Sequence, residues 1–371
     1  MSYSISIPNV EDYFTNEHGI LNFTLANSDI SIANALRRTM LTDIPCVVIK
    51  TDDFKHNDLT IHINTSKLNN EIIRQRLSCI PIHIKDLELA KNLTLELDIK
   101  NNTDSIIYVT TEHIKVKTID NKYLSEKNTR DIFPKNKFTD DFIIINRLRP
   151  KISNDIHGEH LKFTSKLSIG TAKESGAFNM VSTCSYGFTK DESKIKNIII
   201  DKKINLKDEN KSDDEINLII NNWLNHDAKR IFKPNSYDFK IETIGVYTNE
   251  EILMMAIKVL IQKFNNIKQS IIENKYEFLE NITINPNTVD IKLFNEGYTT
   301  GKCIEYILHD KYFKNSDILS YVGFIHEHPH YDYTTLRLTI NNNNNFNNEF
   351  INKLLLESCD DIIKIFNSIK L

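Results

Sequence analysis

The chain has 371 residues, more than one hydrophobic core usually serves, so two or three domains are expected. Its 46 lysines and arginines against 50 aspartates and glutamates give a net charge of −4, without the basic footprint of a stand-alone nucleic-acid binder. The 5 cysteines are scattered and form no C-x-x-C, which argues against a disulfide framework or a structural zinc site and for a reducing compartment.

Only 9 glycines and 8 prolines are present, too few for long flexible linkers. The opening MSYSISIPNVEDYF lacks the basic start and apolar centre of a secretory signal. No run approaches the roughly 18 apolar residues that a membrane crossing needs. The abundance of Ile, Asn and Lys fits an AT-rich genome better than any physical demand.

Ser4 to Ile7 and Gly19 to Leu25 alternate apolar with polar residues and read as strands. They lead into Ser31–Ile44, SIANALRRTMLTDI, where Ile32, Ala35, Leu36 and Met40 fall on one helical face. Any of Asn27, Ser28 and Asp29 can cap that helix by accepting an orphan backbone N–H, and Pro45 stops it. The helix carries an adjacent cationic pair, Arg37 and Arg38, whose plainest reading is a solvated helix end. CVVI follows as a short strand.

From Thr51 to Ser236 the pattern is mainly β. Strands are expected at Thr60–Ile63, Leu93–Ile99, Ile106–Val109, His113–Thr118, Phe142–Ile145, Leu161–Ile169 and in VSTCSYGF, with one helix at Asn70–Leu77. Asp120–Asp141 reads as polar and irregular, and Lys190–Glu215 as a charge-rich exposed excursion.

Tyr237–Ile244 alternates again, and Thr248-x-x-Glu251 is a capping box that opens a helix to about Ile272. Ile282–Pro286 and Val289–Phe294 read as strands. NEGYTTGKCIEYIL then repeats the organisation of the opening helix, capped by Thr299 or Thr300. Strands at Ile318–Ile325 and Thr334–Ile340 precede a last long helix, Asn347–Ile369.

One plan therefore occurs twice: strand, short helix, strands, long amphipathic helix. The first copy is read as 1–50 plus 237–275, split by an inserted mainly β domain at 51–236; the second is 276–371. The fold class is α+β. The two long helices are expected to bury their stripes against each other as an intrachain pseudo-dimer. Leu253, Ile257, Leu260, Phe264 and Ile267 form one side of that seam, and Leu354, Leu355, Ile362 and Phe366 the other.

His326, His328 and His330 alternate, so on a strand all three would leave one face, as three zinc ligands would. A stand-alone zinc-dependent hydrolase is the competing function class on that ground, although Pro329 interrupts the strand. Gly170–Lys173 lacks the glycine spacing of a phosphate-cradling loop. The pairs Asp140-Asp141, Asp213-Asp214 and Asp360-Asp361 read as solvated faces, and no serine, cysteine or lysine sits in a nucleophile motif. No catalytic residue and no metal ligand is assigned.

The pattern LANSDISIANALRRTMLTDIPCVVI closely resembles the assembly motif of the RNA polymerase alpha-type family: bacterial alpha, its archaeal D-type equivalent and the third-largest subunit of eukaryotic polymerase II. NEIIRQRLSCIPI, IGTAKESGAFNMVSTCSY and FKIETIGVYTNEEILMMAIKVLIQKF resemble further stretches of that family, in its order. From about residue 282, NEGYTTGKCIEYIL, VGFIHEHPHYDYTTLRL and the last helix are similar to the archaeal L-type polypeptide and the eleventh polymerase II subunit.

The resemblance implies a non-catalytic platform on which the two large catalytic subunits are mounted. It sets Arg37 and Arg38, with Asn34 beside them, against the second-largest subunit. Arg38 is the foremost contact, since a guanidinium orients a partner through its planar fork. The implied partners are the largest and second-largest subunits and small subunits resembling the tenth and twelfth of polymerase II. No sequence-specific nucleic-acid contact, membrane or homodimer is required, and no cofactor is expected in this chain; Mg²⁺ belongs to the large catalytic subunit.

The family also places a His-Pro near His328 without metal. Three departures stand out. The cysteine clusters that bind zinc or iron–sulfur groups in some relatives are missing. Ser175 and Phe178 replace a frequent His and Trp, and the DNA-reading domain of bacterial alpha has no counterpart. Fusion of the two partner subunits is the arrangement of some large DNA viruses that replicate in the cytoplasm. The expected location is then the host cytoplasm and the virion, or the nucleus for a cellular protein; secretion is not expected.

Overall fold

The computed structural model describes residues 5–51, 57–153, 157–280, 287–341 and 347–370, and is mixed α and β. The chain forms two compact units. One comprises Met1–Thr39, Thr183–Glu242 and Leu253–Leu371; the other comprises Met40–Ser182 and Thr243–Ile252.

The first unit holds two four-stranded sheets. Asn9–Thr15, Leu21–Ala26, Phe232–Thr243 and Val181–Lys190 lie side by side in that order in one. Glu277–Glu280, Thr288–Phe294, Tyr333–Ile340 and Leu319–Ile325 do so in the other. In both sheets the second strand runs into a short helix, Ile30–Thr42 or Tyr298–Leu308. In both, the third runs into a long one, Asn249–Ile272 or Asn348–Ser368. The strand order is thus the same in the two sheets, including its one departure from chain order.

Alternation explains the packing. Leu21, Phe23 and Leu25 point to the covered face with Phe239 and Ile241, and Phe23 stacks on Phe239 with centroids 4.9 Å apart. In the second sheet Val289, Ile291 and Leu293 share a buried face with Leu336, Leu338 and Ile340.

This topology moves the expected boundary at 236. Val181–Lys190 is the fourth strand of the first sheet, so the first repeat resumes near Thr183 rather than at Tyr237. The alternation of VSTCSYGF announces a strand but not its sheet, because its neighbour Phe232–Thr243 lies far along the chain. Nor is the tail of 51–236 β. Asp191 accepts from Lys194 N at 3.0 Å to start a helix, Glu192–Asp208. Ser212 and Glu215 form a capping box for a second, Asp213–Asn225.

Smaller differences have local causes. The first strand among the described residues is Asn9–Thr15, after Pro8; of the strand expected at Ser4–Ile7, Ser4 lies outside the described residues and Ile5–Ile7 are not in a strand. Asp120–Asp141 contains a short helix, Glu126–Ile132, capped by Ser125. Gly297, not Thr299 or Thr300, occupies the N-cap of the second short helix. The strand expected at Ile282–Pro286 lies outside the described residues.

The second unit is built on a sheet ordered Leu59–Asn64, His160–Ser165, Leu93–Lys100, Lys115–Thr118, with two further two-stranded ladders. Leu95, Leu97, Leu161, Phe163 and Val116 form the floor of its core, under Ile73 and Leu77 of the Asn70–Ser78 helix. The other face is polar. Asp98 receives Lys162 Nζ at 2.8 Å and lies 2.6 Å from His160 Nε2. Glu96 receives Lys117 Nζ and the Tyr123 hydroxyl, each at 2.8 Å.

Candidate functional site

The opening helix is set up by two residues. Asn27 takes a left-handed turn, φ +54°, directly after the strand, and the Asp29 carboxylate accepts Ser31 N at 2.8 Å as the cap. Ile32, Ala33, Ala35 and Leu36 are buried, which leaves Asn34 and Arg37 half-buried and Arg38 exposed. Arg37 donates from Nε and Nη2 to Asn34 Oδ1, at 3.1 and 2.9 Å. One turn of helix thus ties that half-buried guanidinium to Asn34.

Arg38 reaches the second short helix, where its Nε donates to Thr299 Oγ1 at 3.1 Å. One turn further, Cys303 Sγ donates to Ser31 O at 3.7 Å. The two short helices of the first unit therefore touch. The sequence marks Thr299 only as a possible cap and gives Cys303 no role; spacing within a helix carries no signal for a contact made across 261 residues of sequence.

At the matching place on the second short helix, Lys302 Nζ pairs with Glu305 at 2.5 Å. Both helices thus carry a side-chain link three residues apart. Arg37 is cationic on the first, whereas its counterpart Glu305 on the second is an anion.

The long helices supply the other element. Leu253, Ile257, Leu260, Phe264, Ile267, Leu354, Leu355, Ile362 and Phe366 are all buried. The Phe264 and Phe366 rings stack with centroids 6.0 Å apart, and Lys268 forms an ion pair with Asp360 across the same two helices. The neighbouring Asp361 does not lie on a solvated face as expected. It is 5% exposed and receives Lys311 Nζ at 2.9 Å and Lys364 Nζ at 3.1 Å. Tyr312 donates its hydroxyl to Glu357 at 2.5 Å, and that hydrogen bond holds the Glu357 carboxyl below its ordinary range.

The histidine triplet lacks the one-face geometry that its spacing suggests. The strand ends at Ile325, so His326, His328 and His330 sit in the following loop. His326 Nε2 lies 3.1 Å from Tyr331 O, and His330 N donates to His328 Nδ1 at 3.2 Å. Among the described residues no group of three His, Cys, Asp or Glu side chains is placed to hold a metal ion. Burial pushes the thiols of Cys46, Cys184 and Cys359 up to about 12, far from the thiolate that a nucleophile needs. No described helix is long and apolar enough to cross a membrane.

The model of the RNA polymerase Rpb3/Rpb11 dimerisation domain matches residues 22–264. The chain belongs to this family. The match takes in the opening helix with Asn34, Arg37 and Arg38 and most of the first long helix. Among similar proteins, subunit 3B of DNA-directed RNA polymerases IV and V from Arabidopsis thaliana is 23% identical over 67% of this chain and 86% of its own length. Subunit Rpo3 from Methanosphaera stadtmanae is 24% identical over 66% and 92%, respectively. Subunit RPAC1 of human polymerases I and III is 27% identical over 46% and 51%. These Rpb3/Rpb11-type relatives are polymerase subunits, and the chain is a structural rather than a catalytic member of such an enzyme.

Proposed function

We propose that this protein is the assembly platform of a multisubunit DNA-directed RNA polymerase, with third-subunit-like and eleventh-subunit-like dimerisation units fused in one chain. The observation that carries the reading is the repeated strand order, with Phe264 of the first long helix stacked on Phe366 of the second. In this reading the long helices form an intrachain pseudo-dimer, and residues from about 40 to 182 are a mainly β insert in the first unit. Fusion replaces a concentration-dependent pairing by an intramolecular one at high effective concentration.

Asn34, Arg37 and Arg38 are the contact for the second-largest subunit, with Arg38 foremost. The largest subunit, which would carry the catalytic Mg²⁺, and small subunits resembling the tenth and twelfth of polymerase II complete the partner set. The working compartment is the infected cytoplasm and the virion for a viral chain, and the nucleus for a cellular one.

The test is co-expression of the tagged chain with the two large subunits. The expected result is a monomeric platform alone, a complex with both large subunits, and loss of the second-largest on Arg38→Ala with an unchanged circular dichroism spectrum. A chain that self-associates through the long helices, or a complex indifferent to Arg38→Ala and Arg37→Ala together, overturns the assignment.

A further inference from the structure

Val181–Lys190 and Phe232–Thr243 are neighbours in the first sheet, and Asp191 N donates to Ile231 O at 3.2 Å to close the gap between them. A two-residue turn can join such strands. The chain instead inserts the helical hairpin Glu192–Asp208 and Asp213–Asn225. The matching connection in the second sheet is only the 326–332 loop. Glu192–Asp208 has no buried residue at all. The apolar burial of the hairpin is confined to its second helix, at Ile216 and Ile220, and leaves the first helix as open surface.

Its surface is patterned. Ile200 and Ile204, one turn apart, are 57% and 54% exposed. Lys196, Lys203 and Lys207 fall on the same side by the helical period. Beside this stripe lies a cleft of about 280 Å³, floored by Ile195, Ile199 and Leu224 and rimmed by Lys190, Lys196 and Lys229, with Glu192 as its one acid. Lys196 joins cleft and stripe. Among the described residues the ion pairs of the hairpin are Lys194–Asp191 and Lys211–Glu209, so none of these five lysines has a carboxylate partner. The local cationic surface stands out on a chain of net charge −4.

We propose that the hairpin is a docking arm for an acidic amphipathic segment of a partner protein. The segment lays apolar side chains over Ile200 and Ile204, seats one in the cleft, and turns its carboxylates to the lysines. Complementary charge steers such an encounter, and the apolar contacts hold it. A nucleic acid is disfavoured as the occupant, because the stripe offers no exposed aromatic ring for base stacking and no arginine fork. A lipid surface is disfavoured because two isoleucines make too narrow an apolar face, and Trp223 is engaged under Lys202 Nζ, 5.2 Å from its ring. The proposal does not rest on the platform reading.

The experiment uses the full-length chain and fluorescence anisotropy with a labelled synthetic peptide, a helix-forming sequence with leucines one turn apart and glutamates between them. Three competitors are measured alongside: the same peptide with lysines for glutamates, single-stranded oligouridylate, and vesicles of phosphatidylcholine with phosphatidylserine. The acidic peptide is expected to bind, at least about tenfold more weakly to Lys196→Glu/Lys203→Glu and to Ile200→Ser/Ile204→Ser. A chain whose hairpin is replaced by an Asn-Gly turn is expected not to bind it at all. The four substituted side chains are surface groups, and circular dichroism checks that the variants fold. No binding by the unaltered chain, equal binding by the variants, or preference for the basic peptide, the oligouridylate or the vesicles overturns the proposal.

Discussion

Asn27 and Asn295 occupy the same backbone position in the two repeats, each left-handed, at φ +54° and +59°, directly after the second strand and three residues before a short helix begins. Asparagine tolerates this region better than other residues with a Cβ. The two sites differ in their side-chain partners. Asn27 Nδ2 donates to Ile7 O at 2.9 Å and its Oδ1 accepts Ser6 Oγ at 2.7 Å, whereas Asn295 is fixed through its backbone N–H, which donates to Asp332 O at 2.7 Å.

Asn295→Ala is expected to lower stability by about 1 kcal/mol, the strain of a left-handed alanine, while Asn295→Gly costs nothing measurable. Asn27→Gly loses the two side-chain bonds and is expected to destabilise. Urea denaturation of the three variants checks the order.

Phe264→Ala is expected to cost about 3–5 kcal/mol, because both rings of the Phe264–Phe366 stack are 0% exposed and the cavity cannot fill with water cheaply. Phe264→Ala/Phe366→Ala should cost less than the sum of the single changes, since the second truncation removes a contact already lost. A double-mutant cycle by denaturant titration reads the coupling.

Gly301 sits inside the second short helix, where alanine would ordinarily be favoured by about 1 kcal/mol. Here a Cβ would lie 2.1 Å from the Phe324 ring. Gly301→Ala is therefore expected to lower the melting temperature against helix propensity, and Gly301→Ala/Phe324→Leu to recover part of the loss. Thermal unfolding of the three proteins decides it.

The polar face of the second unit predicts an acid response. The hydrogen bond from Lys162 holds Asp98 below its ordinary range, and that from Lys117, with Tyr123, does the same for Glu96. A depressed carboxyl stabilises the fold fully above its unfolded pKa, and the contribution is lost as pH falls through the folded value. The melting temperature should therefore fall as pH drops below about 4.5, and fall less in Asp98→Asn/Glu96→Gln. Asp98 is exposed and Glu96 half-buried, so added salt should flatten the same slope, chiefly through the Asp98 pairs.

Much of this was legible in the sequence because it is written in periodicity. The stripe from Leu253 to Ile271 and the alternation of Leu93, Leu95 and Leu97 predict the long helix and the strand that form. Helix-end chemistry is legible too: Thr248 and Glu251 bond each other's backbone N–H at 3.2 and 2.8 Å. The same signal at Ser212 and Glu215 is masked by the charge around it, which reads as a solvated loop.

Three features lie beyond local pattern. Which sheet Val181–Lys190 joins depends on a partner far along the chain. The hold of Thr299 on Arg38 is a tertiary contact between two helices. The histidine triplet has the right spacing, but its strand stops at Ile325, and spacing without a strand carries no direction.

The first long helix ends at Ile272 and the next strand begins at Glu277. So short a bridge makes the ratio of the two repeats a matter of translation rather than regulation. Every ribosome that completes one repeat goes on to the other, so neither accumulates as an orphan.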